Sequence, residues 1–325
     1  MLVLPRGIPR PLDRELLAWA AGLFDGEGST IARADARRPG YFRLEVSVPQ
    51  SGGDDPPEVL TKFQRAMLGV GAVRPQPDGS MHRWSAGGRV PAELSLALMW
   101  PWLGSVKRAQ ALAALTTVED QYAGGRQRRR PRYVPSLVPH ARSSTTTETR
   151  VRFAWAAGFL DAEGYFGNPK KYTRANGTVR YLVRASASQH GTPNRPAEVL
   201  LRLQSVLGGR IERHGEIDDH KWVVEGLKRV DWVVEELREW LGIIKLDQAA
   251  RALDAADTAP TRGGRERRIR GHLYDVVAVA ADGRIHRRCN SCARLRDRAQ
   301  RLAKGGTARS VRASPADPTR RYRVN

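Results

Sequence analysis

The chain has 325 residues, with 55 Lys+Arg against 34 Asp+Glu and a formal net charge of +21. That length supports two or three domains and a sizeable core, and the charge favours a polyanionic partner, because side chains that neutralise phosphates release condensed counterions. Two cysteines, Cys289 and Cys292, exclude a disulfide framework for the body and point to an intracellular chain, while no apolar run suits a secretion signal or a membrane span of ~18 residues.

In chain order, the first predicted element is a helix from about Asp13, its N-cap, to Phe24. It is rich in small residues (Ala18, Ala21, Gly22) and runs into Asp25-Gly26-Glu27-Gly28. A strand is predicted over 41–48, with Leu44, Val46 and Val48 facing a core and Arg43, Glu45 and Ser47 facing outward. A helix should begin near Pro57, strands cover 72–76 and 82–85, and another helix begins near Pro91. Residues 122–147 hold Gly-Gly, Arg128-Arg129-Arg130-Pro131 and a Ser/Thr run, the composition of a basic linker. Thr145 and Glu148 then have capping-box spacing ahead of a helix that ends in Asp161-Ala162-Glu163-Gly164. The strand over 180–187 should turn Tyr181, Val183 and Ala185 inward and Arg180, Arg184 and Ser186 outward. A helix near Pro196, strands over 210–214 and 221–225, and a helix near Lys228 complete this series. Residues 261–325 carry 18 Lys+Arg against 5 Asp+Glu, a surplus of 13 that leaves +8 for the first 260 residues.

The second series repeats the first. Residues 18–28 read AWAAGLFDGEG and residues 154–164 read AWAAGFLDAEG. Downstream, Val48-Pro49-Gln50 answers to Ala187-Ser188-Gln189, and Pro57-Glu58-Val59-Leu60 to Ala197-Glu198-Val199-Leu200. His82-Arg83-Trp84 answers to His220-Lys221-Trp222, and Trp102-Leu103-Gly104 with Lys107 to Trp240-Leu241-Gly242 with Lys245. The division expected is a first repeat over 1–121, a linker over 122–147, a second repeat over 148–260 and a basic extension over 261–325.

Small residues at i and i+4 let two helix backbones approach closely, so the two first helices should pair about a pseudo-two-fold axis. Glu27 and Glu163 would then meet as like charges at helix C-termini, where carboxylates are disfavoured unless they share a proton or bind a cation. A divalent, oxygen-seeking metal such as Mg²⁺ is the natural partner, and on a basic chain that combination suits phosphodiester hydrolysis.

The segments AAGLFDGEG and AAGFLDAEG resemble the LAGLIDADG motif of homing endonucleases, and two copies in one chain resemble the monomeric members of that family. The resemblance implies an α/β (α+β) chain of two pseudo-symmetric αββαββα repeats that form a DNA-binding saddle. It implies metal ligands at Glu27 and Glu163, with Asp25 and Asp161 shaping the helix ends. Solvent-positioning glutamines would be Gln50 and Gln189, and charge-stabilising lysines Lys107 and Lys245. The partner would be double-stranded DNA with a long asymmetric target, read in the major groove by outward strand residues. These are Arg33, Arg43, Glu45, Arg74, Gln76 and Arg83 in the first half, and Lys171, Arg180, Arg184, Arg210, Glu212 and Lys221 in the second. The alternatives are a non-cleaving DNA-binding regulator and an intron RNA maturase on the same scaffold.

The basic extension resembles small zinc modules with Cys-x-x-Gly-His followed by Cys-x-x-Cys. His272, Cys289 and Cys292 match, but Arg268 stands where the first cysteine is expected. A basic DNA clamp without metal is the preferred reading and a zinc site the alternative.

Overall fold

The computed structural model describes residues 12–77, 79–121, 145–173, 179–192, 194–214 and 218–257, and the backbone of 276–279 and 285–288. By contacts the chain divides into two units, 1–266 and 267–325. In the second unit the strands β9 (Val276–Val279) and β10 (Ile285–Arg288) pair antiparallel, with Val279 opposite Ile285. His272, Cys289 and Cys292 lie outside the described residues.

The first unit opens with α1 (Arg14–Glu27), whose N-cap Asp13 accepts the Leu16 amide at 2.9 Å. Every residue from Leu17 to Asp25 is buried, so this helix has no solvent stripe and must be covered on all sides. One cover is its own sheet, formed by β1 (Ser29–Ala34), β2 (Phe42–Ser51), β3 (Ala72–Pro75) and β4 (Met81–Gly87) in the order β1-β2-β4-β3, all antiparallel. Between β2 and β3 lies α2 (Glu58–Ala66), and after β4 come α3 (Arg89–Met99), a 3-10 turn over Trp100–Trp102 and α4 (Ser105–Asp120).

The second half copies this plan. It has α5 (Thr145–Glu163), β5 (Gly164–Thr173), β6 (Val179–His190), α6 (Glu198–Leu207), β7 (Arg210–His214), β8 (Asp219–Glu225), α7 (Leu227–Leu237) and α8 (Ile243–Asp257). Its sheet has the matching order β5-β6-β8-β7. The register matches too: Val48 faces Trp84 as Ala187 faces Trp222, and Gln50 faces His82 as Gln189 faces His220. Leu44, Val46, Val48 and Trp84 fill the core beneath the first sheet, and Val183, Ala185, Ala187 and Trp222 fill it beneath the second. Gly88 and Gly226, at φ of 90° and 94°, make the turn from last strand to following helix, a conformation that β-carbons disfavour.

The other cover of α1 is α5. A β-carbon added at Gly22 would stand 2.0 Å from the Trp155 carbonyl oxygen, and one at Gly158 would stand 1.9 Å from the Trp19 carbonyl oxygen. The two helices therefore meet backbone to backbone, the contact the small residues led us to expect.

The structure adds to or corrects the expected layout in four places. Each half has a further helix, α4 or α8, after the αββαββα series, and it starts from the turn at Trp-Leu-Gly. The helix α5 already includes Thr145, the residue expected to cap it. Ser47 and Ser186 are buried rather than outward, since a small side chain on an inner strand is shielded by the longer ones flanking it. Gln76 falls just past the end of β3, in the turn where its amide bonds to the Met81 carbonyl. Among the described residues no helix is long and apolar enough to cross a membrane.

Candidate active site at the paired helix ends

The first acid of each motif is an anchor inside the protein. Asp25 accepts the Gly104 amide at 2.8 and 3.0 Å and the Trp155 indole N–H at 2.9 Å. Asp161 accepts the Gly242 amide at 2.8 and 3.0 Å and the Trp19 indole at 2.8 Å. Each carboxylate thus ties its own helix end to the start of α4 or α8 and to the other half's tryptophan. Burial pushes both carboxyls up to about 6, against the lowering pull of these donors and of Arg202 near Asp25 and Lys62 near Asp161. The structure thus places Asp25 and Asp161 where helix-end shaping requires them. The indole and glycine partners are not legible in the motif alone, although Trp19 and Trp155 recur in both copies.

The second acid of each motif is half-buried at the adjoining helix end. A β-carbon at Gly26 would come within 2.5 Å of the Ala162 β-carbon and 3.0 Å of Glu163 Cγ, so glycine there lets the two helix ends close on each other. The side chain of Glu163 lies against Gly26, and Gln189 Nε2 donates to Glu163 Oε1 at 2.8 Å. Gln50 occupies the equivalent register position on β2. Burial raises the Glu27 carboxyl and, joined by repulsion from Glu27, the Glu163 carboxyl; Lys107 and Lys245 oppose the rise in both. Lys107 Nζ donates to the Gly28 carbonyl at 2.6 Å, and Lys245 Nζ donates to the Gly164 carbonyl. Burial lowers both ammonium groups, while Asp25 or Asp161 and the two glutamates pull them back up.

The result is two carboxylates and two ammonium groups converging at one end of a helix pair. Two like-charged carboxylates forced together favour a hard cation, and a set of two carboxylates leaves most of a magnesium shell to water and phosphate oxygens. Among the described residues no cluster of three or more His, Cys, Asp or Glu forms a closed metal cage.

The outward sheet faces differ between the halves. In the first, Arg33 lies opposite Arg43, and Arg74 lies opposite Arg83. Like charges directly opposite each other destabilise a sheet; Arg33 meets Glu45 at 3.2 Å and Arg43 meets Asp35 at 2.9 Å. In the second, Arg184 lies opposite Glu225 and pairs with it, Arg210 bonds both Glu212 and Glu225, and Lys221 lies opposite Glu212. Lys171 and Arg180 belong to β5 and β6, but their side chains lie outside the described residues.

No family model and no curated protein matches the chain. Solved structures do. The LAGLIDADG meganuclease I-AabMI, solved bound to uncleaved DNA, aligns at a TM-score of 0.54 and 14% identity, over 74% of this chain and 90% of that one. The chain has the LAGLIDADG endonuclease fold. The LAGLIDADG homing endonuclease I-GzeII with its DNA target aligns at 0.49 and 14% identity, over 72% of this chain and 87% of that one. The meganuclease I-SmaMI on uncleavable DNA aligns at 0.48 and 16%, over 76% and 92%. Within the LAGLIDADG fold, α1 and α5 are the motif helices, and the two four-stranded sheets are arranged about them.

Proposed function

We propose that this chain is a site-specific endonuclease that hydrolyses both strands of duplex DNA with a divalent cation held by Glu27 and Glu163. One observation carries the reading: two glutamates meet at paired helix ends, and each half brings a half-buried lysine to the same place. A protein that only bound DNA would gain nothing there, since carboxylates repel phosphate. A hard divalent cation, Mg²⁺ by preference, would supply nucleophile activation and neutralise charge on the leaving oxygen. Gln189 donates to one oxygen of Glu163, and Glu163 together with Glu27 would hold the cation. Lys107 and Lys245, each fixed by a backbone carbonyl, hold positive charge where it offsets the extra negative charge of the transition state and where ordered water can pass a proton. The target is asymmetric, because the outward residues of the two sheets differ in chemistry and pairing. One chain carries both halves, so the active form is a monomer.

The test removes charge and keeps shape. Glu27→Gln and Glu163→Gln are each expected to retain folding and DNA affinity and to lose cleavage by about a hundredfold or more. Substrates are a randomised duplex library and the DNA flanking the reading frame, with Mg²⁺ or with EDTA. If the wild type holds one site tightly in Mg²⁺ and never cuts it, the regulator reading replaces this one. If both variants cut normally, the carboxylates have been misassigned. An RNA competitor that outcompetes duplex DNA would favour the maturase reading.

A further inference from the structure

Helices α4 and α8 carry the two lysines, and both start after a glycine. Gly104 caps α4 without a side-chain hydrogen bond, and Gly242 holds the same place before α8. The first amides of a helix have no acceptor within it and need one from elsewhere. Asp25 and Asp161 meet the glycine amides from within each half. The next amide is met from the opposite half. Glu198, the first residue of α6, accepts the Ser105 amide at 3.3 Å and also the Ser105 hydroxyl. Glu58, the first residue of α2, accepts the Ile243 amide at 3.2 Å.

The same two helices grip the preceding turn a second time. Lys62 of α2 donates to the Trp240 carbonyl, with its ammonium 4.0 Å from the Trp19 ring. Arg202 of α6 donates to the Trp102 carbonyl, with its guanidinium 3.8 Å from the Trp155 ring. Each Trp-Leu-Gly turn is therefore held by the other repeat on both sides of its glycine. Lys107 and Lys245 are the third residues of the helices so launched. A lysine in the first turn sits at the positive end of the helix dipole and is repelled there unless anions offset it; Asp25 for Lys107, Asp161 for Lys245 and the two motif glutamates for both supply that charge, which leaves Glu198 and Glu58 to hold the helix starts.

We propose that Glu198 and Glu58 are positioning residues that work across the pseudo-two-fold axis: Glu198 in the second half sets Lys107 in the first, and Glu58 in the first half sets Lys245 in the second. Each lysine thus depends on the other repeat for its placement, and this function for the two glutamates rests on the endonuclease reading above. Glu198 has the stronger hold, because Ser105 offers it a hydroxyl that Ile243 cannot offer Glu58.

The experiment uses the full chain, a supercoiled plasmid bearing the selected target, and strand-specific end labels. Glu198→Ala should slow one strand roughly ten- to hundredfold and accumulate nicked circles, the scale expected when an outer partner of a reacting group is removed. Glu58→Ala should do the same, more weakly, to the opposite strand. Glu198→Gln, which keeps an acceptor oxygen, should recover most of the rate. Duplex affinity in EDTA reports folding; if Glu198→Ala fails to bind, Glu198→Asp and Glu58→Asp take the places of the alanine variants. Equal slowing of both strands, slowing of the same strand by both variants, or no slowing would overturn the proposal. A second readout needs no cleavage. Carbon-13 methylated lysines, assigned with Lys107→Arg and Lys245→Arg, should show the Lys107 signal moving in Glu198→Ala while Lys245 stays, and the reverse in Glu58→Ala. Signals that move together, or not at all, count against the proposal. If the wild type cuts nothing while that reciprocal pattern holds, the endonuclease reading falls and the cross-repeat placement of the lysines stands.

Discussion

At the helix pair the two halves keep the same bonds. Trp19 reaches Asp161 at 2.8 Å and Trp155 reaches Asp25 at 2.9 Å, and both aspartates hold their glycine amides at 2.8 and 3.0 Å. On the outward sheet faces the halves part. The first sets arginine opposite arginine, Arg33 with Arg43 and Arg74 with Arg83, whereas the second sets Arg184 opposite Glu225 and Lys221 opposite Glu212. The contrast separates two demands on a duplicated chain. A shared helix interface must fit itself, so a change in one copy must be matched in the other. An outward sheet face has no such partner within the protein, and its two copies are free to diverge.

The comparison can be broken most severely at the helix crossing. Gly158→Leu, and equally Gly22→Leu, drives a side chain into a carbonyl less than 2.1 Å from the added β-carbon. Denaturant unfolding should show a loss of several kcal/mol, at or above the ~1–3 kcal/mol scale of overpacking. A near-unchanged midpoint for either would remove the claim that α1 and α5 meet backbone to backbone.

A milder cut tests whether the symmetry is energetic as well as geometric. Trp19→Phe removes one donor to buried Asp161, and Trp155→Phe removes one donor to buried Asp25. Each should cost about 1–3 kcal/mol, the range for leaving a buried acceptor short of a partner. Thermal or denaturant unfolding would expose a difference between them beyond measurement error, which the near-identical bonds do not predict.

On the sheets the expected effects are smaller and should be unequal. Arg83→Ala relieves a like-charge pair in the free protein and removes a cation from the proposed DNA face. It should leave stability within about 0.5 kcal/mol, as surface changes usually do, and reduce the salt slope of DNA binding by roughly 1. Arg210→Ala, already neutralised by Glu212 and Glu225, should change that slope less. Equal slopes for the two would erase the proposed difference between the faces. The smallest change comes from Glu225→Gln, which frees Arg184 and Arg210 and should raise affinity for all duplexes slightly. Filter binding across a salt series decides it, and weaker binding would show that Glu225 orders those arginines for DNA.

The sequence by itself carried the duplication, the helix pairing and the candidate site. Each candidate residue type stands twice in the same order, and small residues at i and i+4 dictate close helix approach. Register followed from alternation, which put Leu44, Val46 and Val48 inward. Other features only the tertiary structure decided. Ser47 and Ser186 are polar by composition and buried by their place on inner strands. Where α4 starts is held by a tertiary partner, the Asp25 carboxylate, which accepts the Gly104 amide. Trp19 with Asp161, Glu198 with Ser105, and Glu58 with Ile243 lie 142, 93 and 185 residues apart. No local periodicity reports such a contact. The pairing emerges only when α1 and α5 cross at their glycines and bring each half's turn within reach of the other half's helix.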